Sequence, residues 1–133
     1  MRKKFTSIIL SGLLFFPAFA QPADFASAYA AYESGDYRQA YRALKRLARS
    51  DNVQAQYLLG LLYINGQGVG QDTEQGLSWL KQSAENGSYS AAAELGQIYI
   101  TGKGVEMNDR EAAKWIELSA ALAEEEEAEE ECD

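Results

Sequence analysis

Few side chains in this sequence are arranged for covalent chemistry. A serine with a lysine one helical turn later occurs at Ser78-Trp79-Leu80-Lys81, and a Ser-Asp-Asn triplet at Ser50-Asp51-Asn52. A lysine so placed can take a serine hydroxyl proton and make an acylatable nucleophile. The two motifs stand in the reverse of the order that chemistry uses, and no Lys-Thr-Gly follows. The 133 residues contain no histidine and one cysteine, Cys132, so imidazole-dependent triads, Cys/His nucleophiles, ordinary zinc sites and intrachain disulfides are excluded. Gly66-Gln67-Gly68-Val69-Gly70 is glycine-rich but lacks the GxGxxG spacing of a phosphate cradle. The sequence therefore predicts no enzyme, no cofactor and no metal site.

Charge is concentrated in three places. Arg2, Lys3 and Lys4 give +3 at the start; Glu124 to Asp133 carry seven Glu and one Asp without a base, giving -8; the middle holds 9 basic and 12 acidic residues, or -3. Without the first segment the chain is at 9 minus 20, or -11, which disfavours nucleic acid and anionic lipid. Arg38, Arg42, Lys45, Arg46 and Arg49 form a local basic cluster, read as a solvated helix face or a dock for an anionic partner. Acids four apart repel, and negative charge opposes the dipole at a helix C-terminus, so residues 123–133 are expected to form a disordered acidic tail. Cys132 lies in that tail, where carboxylates raise its pKa.

Residues 1–20 read as a cleavable export signal: a basic start, an apolar run from Phe5 to Phe19 and Ala18-Phe19-Ala20 before Gln21. The apolar run is about 15 residues, short of the roughly 20 that span a bilayer. The expected location is periplasmic or secreted, with no membrane insertion after cleavage.

The body must position whatever these residues do, and it repeats every 36 residues. That offset aligns Leu59-Gly60 with Leu95-Gly96, Tyr63-Ile64 with Tyr99-Ile100, Gly66 with Gly102, Gly68-Val69 with Gly104-Val105, and Trp79 with Trp115. A period of this size marks stacked supersecondary units. Within a unit, Ala55, Leu59, Leu62 and Tyr63 share one helical face, Gly66 ends that helix, and Asp72 or Asn108 caps the next, which buries Gly76, Leu77, Trp79, Leu80 and Ala84. Recurrence makes the glycine-rich stretch an inter-helix loop. Upstream, Ala40, Leu44 and Ala48 continue the pattern behind a shorter turn, Gly35-Asp36-Tyr37. The expected fold is all-α, an alpha/alpha solenoid of three helical hairpins at about 23–50, 52–86 and 88–122, within a repeat domain of 21–122.

The strings Ala55 to Asp72 and Ala91 to Asn108, with Leu-Gly, Tyr and paired glycines in register, resemble the Sel1-like repeat; the first hairpin is more similar to a tetratricopeptide unit. Gly76 and Asn108 depart from the family pattern of alanine and aspartate. The resemblance implies a superhelical interaction scaffold whose first helices line a concave groove. The groove residues so implied are Tyr29, Tyr32, Gln54, Tyr57, Leu61, Asn65, Gln97 and Thr101, with Phe25, Glu33, Ile64, Ser90, Ala93 and Ile100 beside them. Aromatics and neutral amides there suit an extended peptide or partner helix. The expectation is an exported protein-binding scaffold or adaptor, monomeric or weakly dimeric, possessing no nucleic-acid partner and regulatory in an envelope process. A small envelope hydrolase or beta-lactam-binding repeat protein is the alternative, although the cysteine pairs of the family's beta-lactam-associated branch are missing.

Overall fold

The computed structural model describes residues 24–130, and these form six α-helices: α1 (Phe25–Glu33), α2 (Tyr37–Arg49), α3 (Val53–Asn65), α4 (Thr73–Glu85), α5 (Tyr89–Thr101) and α6 (Asp109–Glu130). α5 repeats α3 and the start of α6 repeats that of α4 at the 36-residue offset. Each helix packs chiefly on the ones before and after it, as in a solenoid. The export signal expected at 1–20 and Cys132 lie outside the described residues.

Local chemistry sets the boundaries. Asp24, Asp36, Asn52, Asp72, Ser88 and Asn108 each accept a hydrogen bond from the backbone N–H three residues on, satisfying donors that the first helical turn leaves free. Gly66 and Gly102 end α3 and α5 at φ 65° and 67°, a left-handed conformation that costs glycine little. The next glycine of each loop serves a purpose the sequence pattern does not show. A Cβ on Gly68 would lie 2.2 Å from the Tyr37 carbonyl oxygen, and one on Gly104 2.9 Å from Thr73. Each loop therefore rests on the start of the second helix of the preceding hairpin.

Within hairpins, small residues set the helix separation. A Cβ on Gly60 would meet Leu80 at 2.9 Å, and one on Gly76 would meet Ile64 at 2.5 Å and the Gly60 carbonyl at 2.8 Å. Ile64 and Leu80 seal this crossing and belong to the cluster formed with Ala91, Ala92 and Leu95 of the next hairpin. A second cluster joins α1, α2 and α3 through Ala28, Ala40, Leu44, Ala55 and Leu59. Polar ties cross the hairpins as well. Gln56 is fully buried; its amide donates to the Ala48 carbonyl at 3.1 Å while its oxygen accepts from Asn86 at 3.1 Å. Ser83 donates to the Val53 carbonyl at 2.8 Å. The Tyr41 and Tyr63 hydroxyls meet at 3.0 Å with rings edge to face, joining α2 to α3. Burial and this hydrogen bond push the Tyr63 phenol up to about 12.

Two expectations are corrected. Helix α6 does not end at Ala123 but continues to Glu130, because alanine and glutamate are strong helix formers whose propensity outweighs the modest repulsion between acids. Ile64, expected to face the groove, is 2% exposed because Gly76 admits it to the helix crossing.

The repeat register makes one comparison direct. Leu80 is fully buried and its register mate Ile116 is 45% exposed. Leu80→Ala should cost about 2–5 kcal/mol, the range for emptying a packed core site, and Ile116→Ala about 1 kcal/mol or less. Urea unfolding of the two variants checks this; equal losses would contradict the stacking order.

Candidate functional site

Helix N-termini build the principal concavity. Phe25 and Tyr29 of α1 stack with ring centroids 6.0 Å apart on one wall. Val53, Gln54 and Tyr57 of α3 form the floor, and Tyr89 and Ser90, which repeat Val53 and Gln54 at the 36-residue offset, form the opposite wall. The Asn86-Gly87-Ser88 turn closes one side and Glu126 of α6 reaches the rim. The open groove measures about 570 Å³. Tyr29 and Tyr89, each 45% exposed, stand with their rings accessible.

The expected groove residues divide accordingly. Tyr29, Gln54 and Tyr57 come together on its surface. Tyr32 is half-buried beside them, edge to face with Tyr37 at 5.7 Å. Leu61 and Tyr57 pack against both core clusters, so they join hairpins as well as facing the concave side. Asn65, Gln97 and Thr101 are exposed but do not line the groove; Asn65 accepts from Lys103 at 3.2 Å and Thr101 donates to the Gln97 carbonyl at 2.9 Å. The reason is geometric. α1 has 9 residues against 13 in α3 and α5, so their C-terminal turns have no counterpart to close a wall.

The charged side chains on this side are acidic. Burial raises the Tyr57 and Tyr32 phenols, and the Glu94 carboxylate of α5, which repeats groove-lining Leu58 at the 36-residue offset, pushes both further. The nearby Glu33 carboxylate, one helical turn on from Tyr29, raises that phenol too. Tyr89 and Glu126 were not among the expected site residues. Tyr89 repeats Val53, which was not itself expected in the groove, and the path of α6 had no sequence signal.

The Ser-x-x-Lys and Ser-Asp-Asn motifs are not brought together. Ser78 lies in the second turn of α4 beside Asp72, Glu74 and Gln75, while Lys81 is held 5.8 Å over the Tyr99 ring. Ser50 donates to the Arg46 carbonyl and Asn52 caps α3, at the end of the hairpin that holds the C-terminus of α4. The basic cluster forms a separate hollow of about 490 Å³ between α1 and α2, lined by Arg38, Arg42 and Arg46.

A chain of capped helices, each packed on its neighbours and joined by glycine loops that rest on the preceding hairpin, defines an alpha-solenoid scaffold. The Sel1 repeat model matches residues 53–88 and 90–123, and the chain belongs to the Sel1 repeat family. A Sel1 repeat protein from Oxalobacter formigenes is 33% identical with a TM-score of 0.68, covering 74% of this chain and 40% of its own. A protective antigen present in uropathogenic Escherichia coli strains, displaying an SLR fold, is 37% identical with a TM-score of 0.64, covering 72% of this chain and 21% of its own. This chain thus spans less than half the length of either solved relative. No curated protein matches. Sel1 repeats are generally protein-protein interaction scaffolds and typically non-enzymatic.

The raised phenols yield a pH dependence. A phenol whose folded pKa exceeds its unfolded value of about 10 supports the fold fully below pH 10 and loses that support as pH climbs through the folded value. Burial raises Tyr57 in this way. The urea midpoint should therefore fall as pH rises above about 10, and less steeply in Tyr57→Phe, which cannot ionise. An equal fall in both would show that Tyr57 ionises as freely folded as unfolded.

Proposed function

We propose that this chain is an exported interaction adaptor that holds an extended peptide or a partner helix in the groove between α1, α3 and α5, in a regulatory role within an envelope process. One observation carries the reading. Three successive hairpins contribute aromatic and amide side chains, Tyr29, Gln54, Tyr57 and Tyr89 among them, to one open concavity of about 570 Å³. Exposed tyrosines supply large contact area at low entropic cost, and Gln54, Ser90 and the Asn86-Ser88 turn offer donors and acceptors for a peptide backbone. Export to the periplasm or beyond is supported by the basic, apolar and small-residue order of residues 1–20. The similarity to a protective antigen is in keeping with a protein met outside the cytoplasm.

The test begins with periplasmic extracts of cells expressing the full chain. The protein is expected to begin at Gln21 by intact mass. Its co-purifying proteins should be lost from a Tyr29→Ala/Tyr89→Ala variant and kept by Ser78→Ala, with all three melting alike by circular dichroism. Retention of the same proteins by the double variant would remove the groove from the account.

A further inference from the structure

Resting on the groove reading above, we propose that its occupant is an extended peptide carrying a lysine or arginine between apolar residues, with the cation among Tyr29, Tyr57 and Tyr89 and facing Glu126 and Glu94.

The groove has the two features that select a cation. Its walls are aromatic, and the negative face of a tyrosine ring attracts an ammonium or guanidinium group placed over it. Among the described residues, its lining carries one charged side chain, Glu126, and that charge is negative. Glu94, on the same face beside Tyr57 and Tyr32, adds a second carboxylate, and Glu33 beside Tyr29 a third. The protein's own bases are elsewhere: Arg38, Arg42 and Arg46 line the hollow between α1 and α2. An acidic peptide would therefore meet repulsion in the groove, and a wholly apolar one would leave Glu94 and Glu126 without a partner. Val53 and Leu58 line the groove with Tyr57 and supply apolar surface, which fits apolar residues flanking the cation. The molecule carries this pairing itself at other places, with Lys45 over Tyr41 at 5.3 Å and Lys81 over Tyr99 at 5.8 Å.

The probe is a phage-displayed library of random dodecapeptides, panned on the purified full protein and, in parallel, on the Tyr29→Ala/Tyr89→Ala variant. Both tyrosines are 45% exposed, so their removal leaves the core clusters intact. The proposal expects peptides enriched only on the wild-type protein, with Lys or Arg over-represented beside Leu, Phe, Val or Ile. A synthetic copy of the most enriched peptide should bind Glu94→Gln/Glu126→Gln roughly tenfold more weakly, and should lose about fivefold or more when its cation is replaced by Gln. Tyrosine-dependent peptides of neutral or acidic composition, or affinity unchanged in the Glu variant, would overturn the cation preference while leaving the groove as the binding site. Peptides that bind both proteins alike, or no enrichment, would overturn the groove reading and the preference together.

Discussion

Leu80 and Ile116 occupy the same place in successive hairpins, yet one is sealed from water and the other is nearly half exposed, because only Leu80 has another hairpin stacked upon it. A two-helix unit has one apolar side for its own helices and another that only a neighbour can cover. That dependence organises the rest of the molecule. Gly60 and Gly76 bring α3 and α4 close enough for Ile64 and Leu80 to present one continuous surface to α5. Gly68 and Gly104 let each loop lie on the start of the second helix of the hairpin before it. Gln56 joins the end of α2 to the end of α4 through two hydrogen bonds, and its burial requires both partners, since an unpaired amide in the core costs on the order of 1–3 kcal/mol.

The groove is a by-product of the same stacking. The first helices of successive hairpins leave their N-terminal turns around a common hollow. Tyr57 has a double role there, since it packs on both core clusters and also faces the concavity. Groove floor and inter-hairpin core thus share a residue, which explains why a groove can exist with so few repeats.

Periodicity made most of the fold legible. Helix pairs, glycine stops and polar caps recur at 36 residues, and a recurring large residue at a fixed spacing has few explanations other than packing. What lacked a repeat was illegible. Gln56 aligns with Ala92, so nothing in the period marked it as a tie between hairpins. Ile64 reads as a groove residue on a helical wheel and is buried only because its neighbour across the hairpin is glycine, a contact between positions 12 apart that no face assignment contains. Asn65, Gln97 and Thr101 share a face with the groove residues, but the shortness of α1 leaves their end of the hollow without a wall. The course of α6 depends on helix propensity winning over charge repulsion, two small terms of opposite sign.

The central claim is that partners are held on the concave side, at the N-terminal turns of the first helices. Site-specific photo-crosslinking tests it most directly, with benzoylphenylalanine placed either at position 89, on the groove wall, or at position 74, on exposed α4 surface away from it. Irradiation of cells expressing each full-length chain should give discrete higher-mass adducts from position 89 that disappear with Tyr29→Ala, and none from position 74. Adducts from position 74 alone, or the same adducts from both, would contradict the account.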